Sequence, residues 1–80
     1  MSLSESIRKY RLEKGLTVEE VGRAINASHS TVTNWERGRK IPNGIFLVDL
    51  ARVLGTTAEI LVYGDSKVKS GSTTEAERNY

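Results

Sequence analysis

TVEEVGRAINASHSTVTNWER, residues 17–37, holds two short apolar-periodic segments separated by about three residues, and its reading decides the fold. In the first, Thr17 and Glu20 have capping-box spacing: the hydroxyl can accept from the third backbone N–H while the carboxylate reaches back. Val21 and Ile25 then lie four apart and point inward, so the spacing predicts a helix over 18–26 that stops by Asn26. In the second, Ser28 is an N-cap, Val32 and Trp35 share one face, and Gly38 closes a helix over 29–37.

The same punctuation continues on both sides. Toward the N-terminus, Ser2 and Glu5 again have capping-box spacing, and Leu3, Ile7 and Tyr10 recur at i, i+4 and i+7 in a helix that ends near Lys14, capped by Gly15. Toward the C-terminus, Pro42 and Asn43 mark a boundary, and Leu47, Leu50, Ala51 and Leu54 form a strongly periodic helix ended by Gly55. Thr56 or Thr57 caps a short last helix through Leu61 and Val62, which Gly64 terminates. No alternating strand pattern and no internal repeat is present, so the fold class is all-α, a bundle of five helices over residues 1–64. Residues 65–80, DSKVKSGSTTEAERNY, are too polar to bury a core and read as a flexible tail, or as a linker to a second domain for dimerisation or sensing.

Eighty residues allow one compact domain with a modest core. With no cysteine and one histidine, neither disulfides nor a cysteine-based zinc site hold it together. The apolar runs are short and broken by charge, with no signal peptide or membrane span among them, which predicts a cytoplasmic, reducing location. Twelve Lys and Arg against ten Asp and Glu leave a formal charge of +2, too small to imply a polyanionic partner by itself. Placement matters more: Arg37, Arg39 and Lys40 fall within the four residues after Glu36, which hold no acid, and Arg8, Lys9, Arg11 and Lys14 cluster near the start. Such clusters are either solvated faces or phosphate-facing patches.

Two short helices joined by about three residues have the spacing of a helix-turn-helix, which presents its second helix to the DNA major groove. Here that helix turns Val32 and Trp35 inward and offers His29, Ser30, Thr33 and Asn34 outward, all short or planar hydrogen-bonding groups without a carboxylate. Such groups read base edges, whereas a carboxylate would be repelled by phosphate. The same residues also suit an ordinary polar helix face. His29 is the lone candidate for catalysis or metal binding, and one imidazole without a partner base, a pocket or further ligands satisfies neither, so no enzyme activity, cofactor or metal is expected. A histidine at a helix start beside phosphate instead gains affinity when protonated at low pH. Trp35 could be cited for a protein-docking hot spot, but at helical spacing from Val32 it reads as core.

The run IRKYRLEKGLTVEEVGRAINASHSTVTNWERGRKIP, continuing into LVDLARVLGTTAEIL, resembles the Xre/Cro helix-turn-helix family across about residues 5–62. The resemblance rests on an Arg in the first helix, GLT before the second, STVTNWERG, a following Pro and the LA-x-x-LG ending. It implies a five-helix DNA-binding regulator of the phage-repressor type, with an antitoxin or coactivator module as the other use of the fold; because one module of this size buries too little to be specific, a homodimer on double-stranded DNA is expected. The resemblance further implies that His29, Ser30 and Asn34 face base pairs with Ser28 and Thr33 at the groove edge, and that Arg37, Arg39, Lys40 and Thr17 lie along phosphates. Arg11 and Glu36 match a scaffold ion pair joining the first helix to the end of the third. Exposed apolar residues around Ile60, Leu61, Val62 and Tyr63 are the expected dimer contact. Three positions depart from the family pattern: Val18 replaces a Gln that contacts phosphate or braces a base reader, Gly22 replaces an Ala where the two motif helices cross, and Gly44 replaces a buried Leu. Gly22 costs about 1 kcal/mol of helix propensity, and like the Ala it replaces it is small enough to keep close approach at the crossing.

Overall fold

The computed structural model describes residues 2–64, and the expected polar tail at 65–80 lies outside the described residues. Five helices follow one another: α1 (Leu3–Glu13), α2 (Val18–Ile25), α3 (His29–Glu36), α4 (Gly44–Leu54) and α5 (Ala58–Tyr63), with no strand among the described residues. Each begins at a residue with extended backbone whose side chain accepts the N–H three residues on: Ser2, Thr17, Ser28, Asn43 and Thr57. Thr57 rather than Thr56 is therefore the cap of α5. The two motif helices end one residue earlier than their spacing predicts. Asn26 turns left-handed at φ 62°, which breaks the helical ladder, and Arg37 serves as the C-cap of α3 before Gly38 reverses the chain at φ 74°.

Helix α1 packs on α3, α4 and α5, while α2 packs on α3 and α4. The core they enclose is Ile7, Val21, Ile25, Val32, Trp35, Leu50, Ala51, Leu54 and Leu61. Full burial of such aliphatic side chains contributes about 1.5–3 kcal/mol each, and without disulfides this burial is the main term opposing chain entropy. Trp35 is 4% exposed and meets the Phe46 ring at 5.2 Å between centroids with a 55° tilt, so it is a core residue that locks α3 to α4. Leu61 is fully buried beneath α1, and the expected apolar contact at the end of the fold reduces to Ile60, Val62 and Tyr63. Its neighbours alternate outward because a six-residue helix lying on the bundle buries only one stripe.

The turn between α2 and α3 is tight. Ala27 N–H donates to the Gly22 carbonyl at 2.8 Å, and a Cβ on Gly22 would stand 2.5 Å from the Ala27 carbonyl oxygen. Glycine is thus demanded by close backbone approach, and its propensity cost is part of the geometry that sets the angle of α3. A Cβ on Gly44 would meet nothing within 4 Å, and Gly44 starts α4 under the Asn43 cap, with Asn43 Oδ1 accepting from Phe46 N–H at 2.9 Å.

Candidate nucleic-acid interface

Helix α3 is held from beneath by Val32 and Trp35, which leaves its remaining residues to face outward or sideways. His29 and Ser30 are exposed, and Thr33 and Asn34 are half-buried on the same outer surface. Ser30 and Asn34, four apart, share a face. Ser28 is exposed but engaged: its hydroxyl oxygen accepts from Thr31 N–H at 3.1 Å and lies 2.8 Å from the Thr31 hydroxyl and 3.4 Å from that of Ser30. Its first task is to start the helix.

The single carboxylate on α3, Glu36, lies at the flank of this surface, where it is engaged by Arg11. Arg11 Nε donates to one of its oxygens at 2.6 Å and Nη2 to the other at 3.0 Å, while Nη1 donates to the Leu16 carbonyl at 2.9 Å. The two side chains are 12% and 8% exposed, so the fork is shielded from solvent and rigid. Hydrogen bonding to Glu36 pushes the Arg11 guanidinium above its ordinary value, against the effect of burial. One arginine thereby ties together the end of α1, the segment before α2 and the end of α3. The expected pair is present and partly buried, and it neutralises the acid nearest the polar face.

Past Glu36 the chain turns basic. Arg37, Arg39 and Lys40 are exposed, and among the described residues their side chains make no ion pair or side-chain hydrogen bond. Their backbone is not loose: Arg37 N–H donates to the Thr33 carbonyl at 2.9 Å, and Arg39 and Lys40 N–H donate to that of Asn34 at 2.9 and 3.4 Å. Thr17 is committed to its capping box, with its N–H donating to Glu20 Oε1 at 2.8 Å and its hydroxyl accepting from Glu20 N–H at 3.0 Å, so a phosphate there would compete with Glu20.

Two features escape sequence reasoning. The basic cluster of α1 separates by helical angle: Arg11 turns inward, Lys9 lies 5.0 Å from the Tyr10 ring centre, and Arg8 reaches a groove beside Val18, His29 and Thr33. Ile41 and Ile45 are 80% and 76% exposed beside the basic loop, and Val48 on α4 is 52% exposed; sequence reasoning singles out none of the three. Among the described residues no helix is long and apolar enough to cross a membrane, and no three His, Cys, Asp or Glu side chains converge as a metal site.

A family model described as helix-turn-helix matches residues 7–61. The HTH-type transcriptional regulator DicA of Escherichia coli is 32% identical over 65 residues, covering 81% of this chain and 48% of DicA. Multiprotein-bridging factor 1 of Candida albicans is 36% identical over 55 residues, covering 69% of this chain and 36% of that protein. The chain therefore spans about half or less of these two curated relatives. Among solved structures, the P22 c2 repressor in complex with a synthetic operator superposes with a TM-score of 0.78 at 28% identity, covering 81% of this chain and 98% of that one.

Proposed function

Because the chain belongs to the helix-turn-helix family, we propose that it is a sequence-specific double-stranded DNA-binding regulator, acting as a repressor, that inserts α3 into the major groove and grips an inverted repeat as a dimer. The observation that carries this reading is the sorting of charge on α3: a polar outer surface of His29, Ser30, Thr33 and Asn34, the single acid drawn aside by Arg11, and unpaired cations immediately beyond. The likeness to a repressor bound to operator DNA and to the regulator DicA supports it.

In this reading His29, Ser30 and Asn34 address base edges, with Ser28 and Thr33 at the rim, and Arg37, Arg39 and Lys40 follow the phosphates. Asn34 makes the bidentate contact an adenine offers through N6 and N7, while Ser30 donates or accepts and discriminates less. A module of this size buries too little for a specific complex, so two copies related by a two-fold axis read two half-sites. Ile60, Val62 and Tyr63, the last two 38% and 58% exposed, form the contact between them.

The test is a selection of bound sequences from random duplexes, followed by binding measured across salt. Asn34→Ala is expected to cost about 1–3 kcal/mol on the preferred site and to relax one base pair in each half. Arg39→Ala is expected to weaken specific and random DNA alike and to lower the salt slope by about one. If Asn34→Ala kept every base preference while Arg39→Ala altered them, the two roles would be wrongly assigned. A selected site with one unrepeated half, or a one-to-one complex in sedimentation, would remove the dimer.

A protein-interaction module is the second reading, supported by the exposed Ile41 and Ile45 and by the similarity to a multiprotein-bridging factor. It predicts little dependence of duplex binding on salt.

A further inference from the structure

The groove beside the outer face of α3 is lined by Arg8 of α1, Val18 at the start of α2, and His29, Thr33, Glu36 and Arg37, with a volume of about 440 Å³. Three elements meet there, and the Arg39–Lys40 loop contributes nothing to it. Its electrostatics are one-sided. Glu36 is held in the two-pronged bond from Arg11, so its charge is already compensated, while Arg8 and Arg37 stand on the rim. Among the described residues Arg8 makes no ion pair or hydrogen bond through its side chain, and it is exposed. Val18 presents an apolar surface, so any polar recognition in the groove falls to the two arginines, His29 and the Thr33 hydroxyl.

The size of the major groove decides what this site would meet. A helix with its side chains is about 10–12 Å across and the major groove about 12 Å wide, so a helix seated there brings its flanks against the sugar-phosphate strands. His29, Thr33 and Arg37 lie at i, i+4 and i+8 along one side of α3, beside the Ser30–Asn34 face, with Arg8 beyond them. When Ser30 and Asn34 face base edges, the next chemistry outward on that side is a phosphodiester. We propose that Arg8, together with Arg37, holds a backbone phosphate of the DNA in this groove, a contact that α1 supplies and that is separate from Arg39 and Lys40. The inference rests on the DNA-binding reading above. An arginine suits the task because its planar fork matches two phosphate oxygens.

The experiment measures affinity of the full chain for a random-sequence duplex across salt, for the parent, Arg8→Gln, Arg8→Lys and Arg39→Ala, with thermal midpoints taken in parallel. One phosphate contact contributes about 0.9 to the slope of log affinity against log salt. Arg8→Gln is expected to lower the slope by that amount, to leave selected base preferences and the thermal midpoint unchanged, and to be rescued in slope by Arg8→Lys. An unchanged slope in Arg8→Gln beside a lowered slope in Arg39→Ala would overturn the Arg8 site alone. A changed base preference in Arg8→Gln would overturn it too, by making Arg8 a reader of bases. A parent with no salt-dependent binding would overturn the DNA-binding reading itself and this site with it.

Discussion

The two ends of α3 are held by different physics. At its start the constraint is backbone against backbone: Gly22 and Ala27 approach too closely for a Cβ, Asn26 turns left-handed, and Ser28 closes the first turn. At its end the constraint is one buried side-chain fork, Arg11 on Glu36, with Gly38 and an exposed basic loop beyond. Steric fixation of the backbone makes little demand on the exposed side chains of the first turn, so His29 and Ser30 can vary without disturbing how the helix is placed. Fixation by an ion pair commits Arg11 and Glu36 to scaffold and leaves function at that end to the residues that follow them. The start of α3 is fixed by backbone contact, and its end is pinned by a charge pair.

Breaking the pinned end is expected to have the largest effect. Glu36→Gln removes the charge opposite Arg11 while keeping the shape, and a broken buried pair costs about 3–5 kcal/mol, against less than about 1 for an exposed one. The loss should sit toward the low end of that range, because Arg11 keeps its bond to the Leu16 carbonyl and is 12% exposed. For a domain whose whole stability is about 5–15 kcal/mol this is a large fraction, visible as a lower denaturant midpoint. An unchanged midpoint would make the fork a surface contact and remove the distinction between the two ends. The double change Arg11→Met with Glu36→Leu sharpens it, since an apolar replacement of the whole pair should be less harmful than loss of one partner.

The end fixed by backbone contact is expected to respond less. Gly22→Ala regains about 1 kcal/mol of helix propensity but forces the Ala27 carbonyl to move, and backbone shifts of this kind cost about 1–3 kcal/mol, so a net loss of up to about 2 is expected. A raised thermal midpoint would show that the turn opens freely and that the backbone does not set the angle of α3. Next comes Ser28→Ala, which deletes the cap accepting from Thr31 N–H and should cost about 1 kcal/mol, or about 4–8 °C in a domain of this size. No change there would mean that the Gly22–Ala27 contact alone defines the start of α3.

The same contrast explains what could be read in advance. The caps Ser2, Thr17, Ser28 and Thr57 and the closing Gly15, Gly38 and Gly55 are local decisions of backbone and side chain that spacing declares, with Thr56 the other candidate for Thr57; Asn43 reads from sequence only as a boundary, and the structure makes it the cap of α4. Val32 and Trp35 were legible as core because helical periodicity selects a face. Arg11 with Glu36 came from family resemblance, since residues 25 apart in sequence carry no local signal of contact. On spacing alone Leu61 groups with exposed residues, and it is buried, because a six-residue helix has too few turns to declare its buried stripe. The closeness of Gly22 to Ala27, and the turning of Arg8 toward α3, depend on helix crossings, which no composition or period encodes.

The smallest expected effect is one of pH, and it separates α3 from its neighbours. Both α1 and α2 begin with full capping boxes, in which Ser2 N–H donates to Glu5 at 2.9 Å and Thr17 N–H to Glu20 at 2.8 Å. Those backbone bonds first, and the cap hydroxyls second, hold both carboxyls below their ordinary value of 4.5. A carboxyl whose folded value is depressed contributes its stabilisation in full above the unfolded value and loses it as pH falls through the folded one. The boxes of α1 and α2 therefore weaken on acidification below 4.5. Helix α3 carries Thr31 where a Glu would complete the box, so its Ser28 cap has nothing to titrate. Carboxyl-carbon chemical shifts followed against pH should give Glu5 and Glu20 midpoints below 4.5, and Glu20→Gln should flatten the acid limb of the thermal midpoint. Ser28→Ala should leave the shape of that limb as it is, lowering the curve at every pH. If Glu20→Gln kept the parent's acid limb, or Ser28→Ala changed its shape, the acid response would lie elsewhere and the caps of α2 and α3 would not differ in the way their third residues imply.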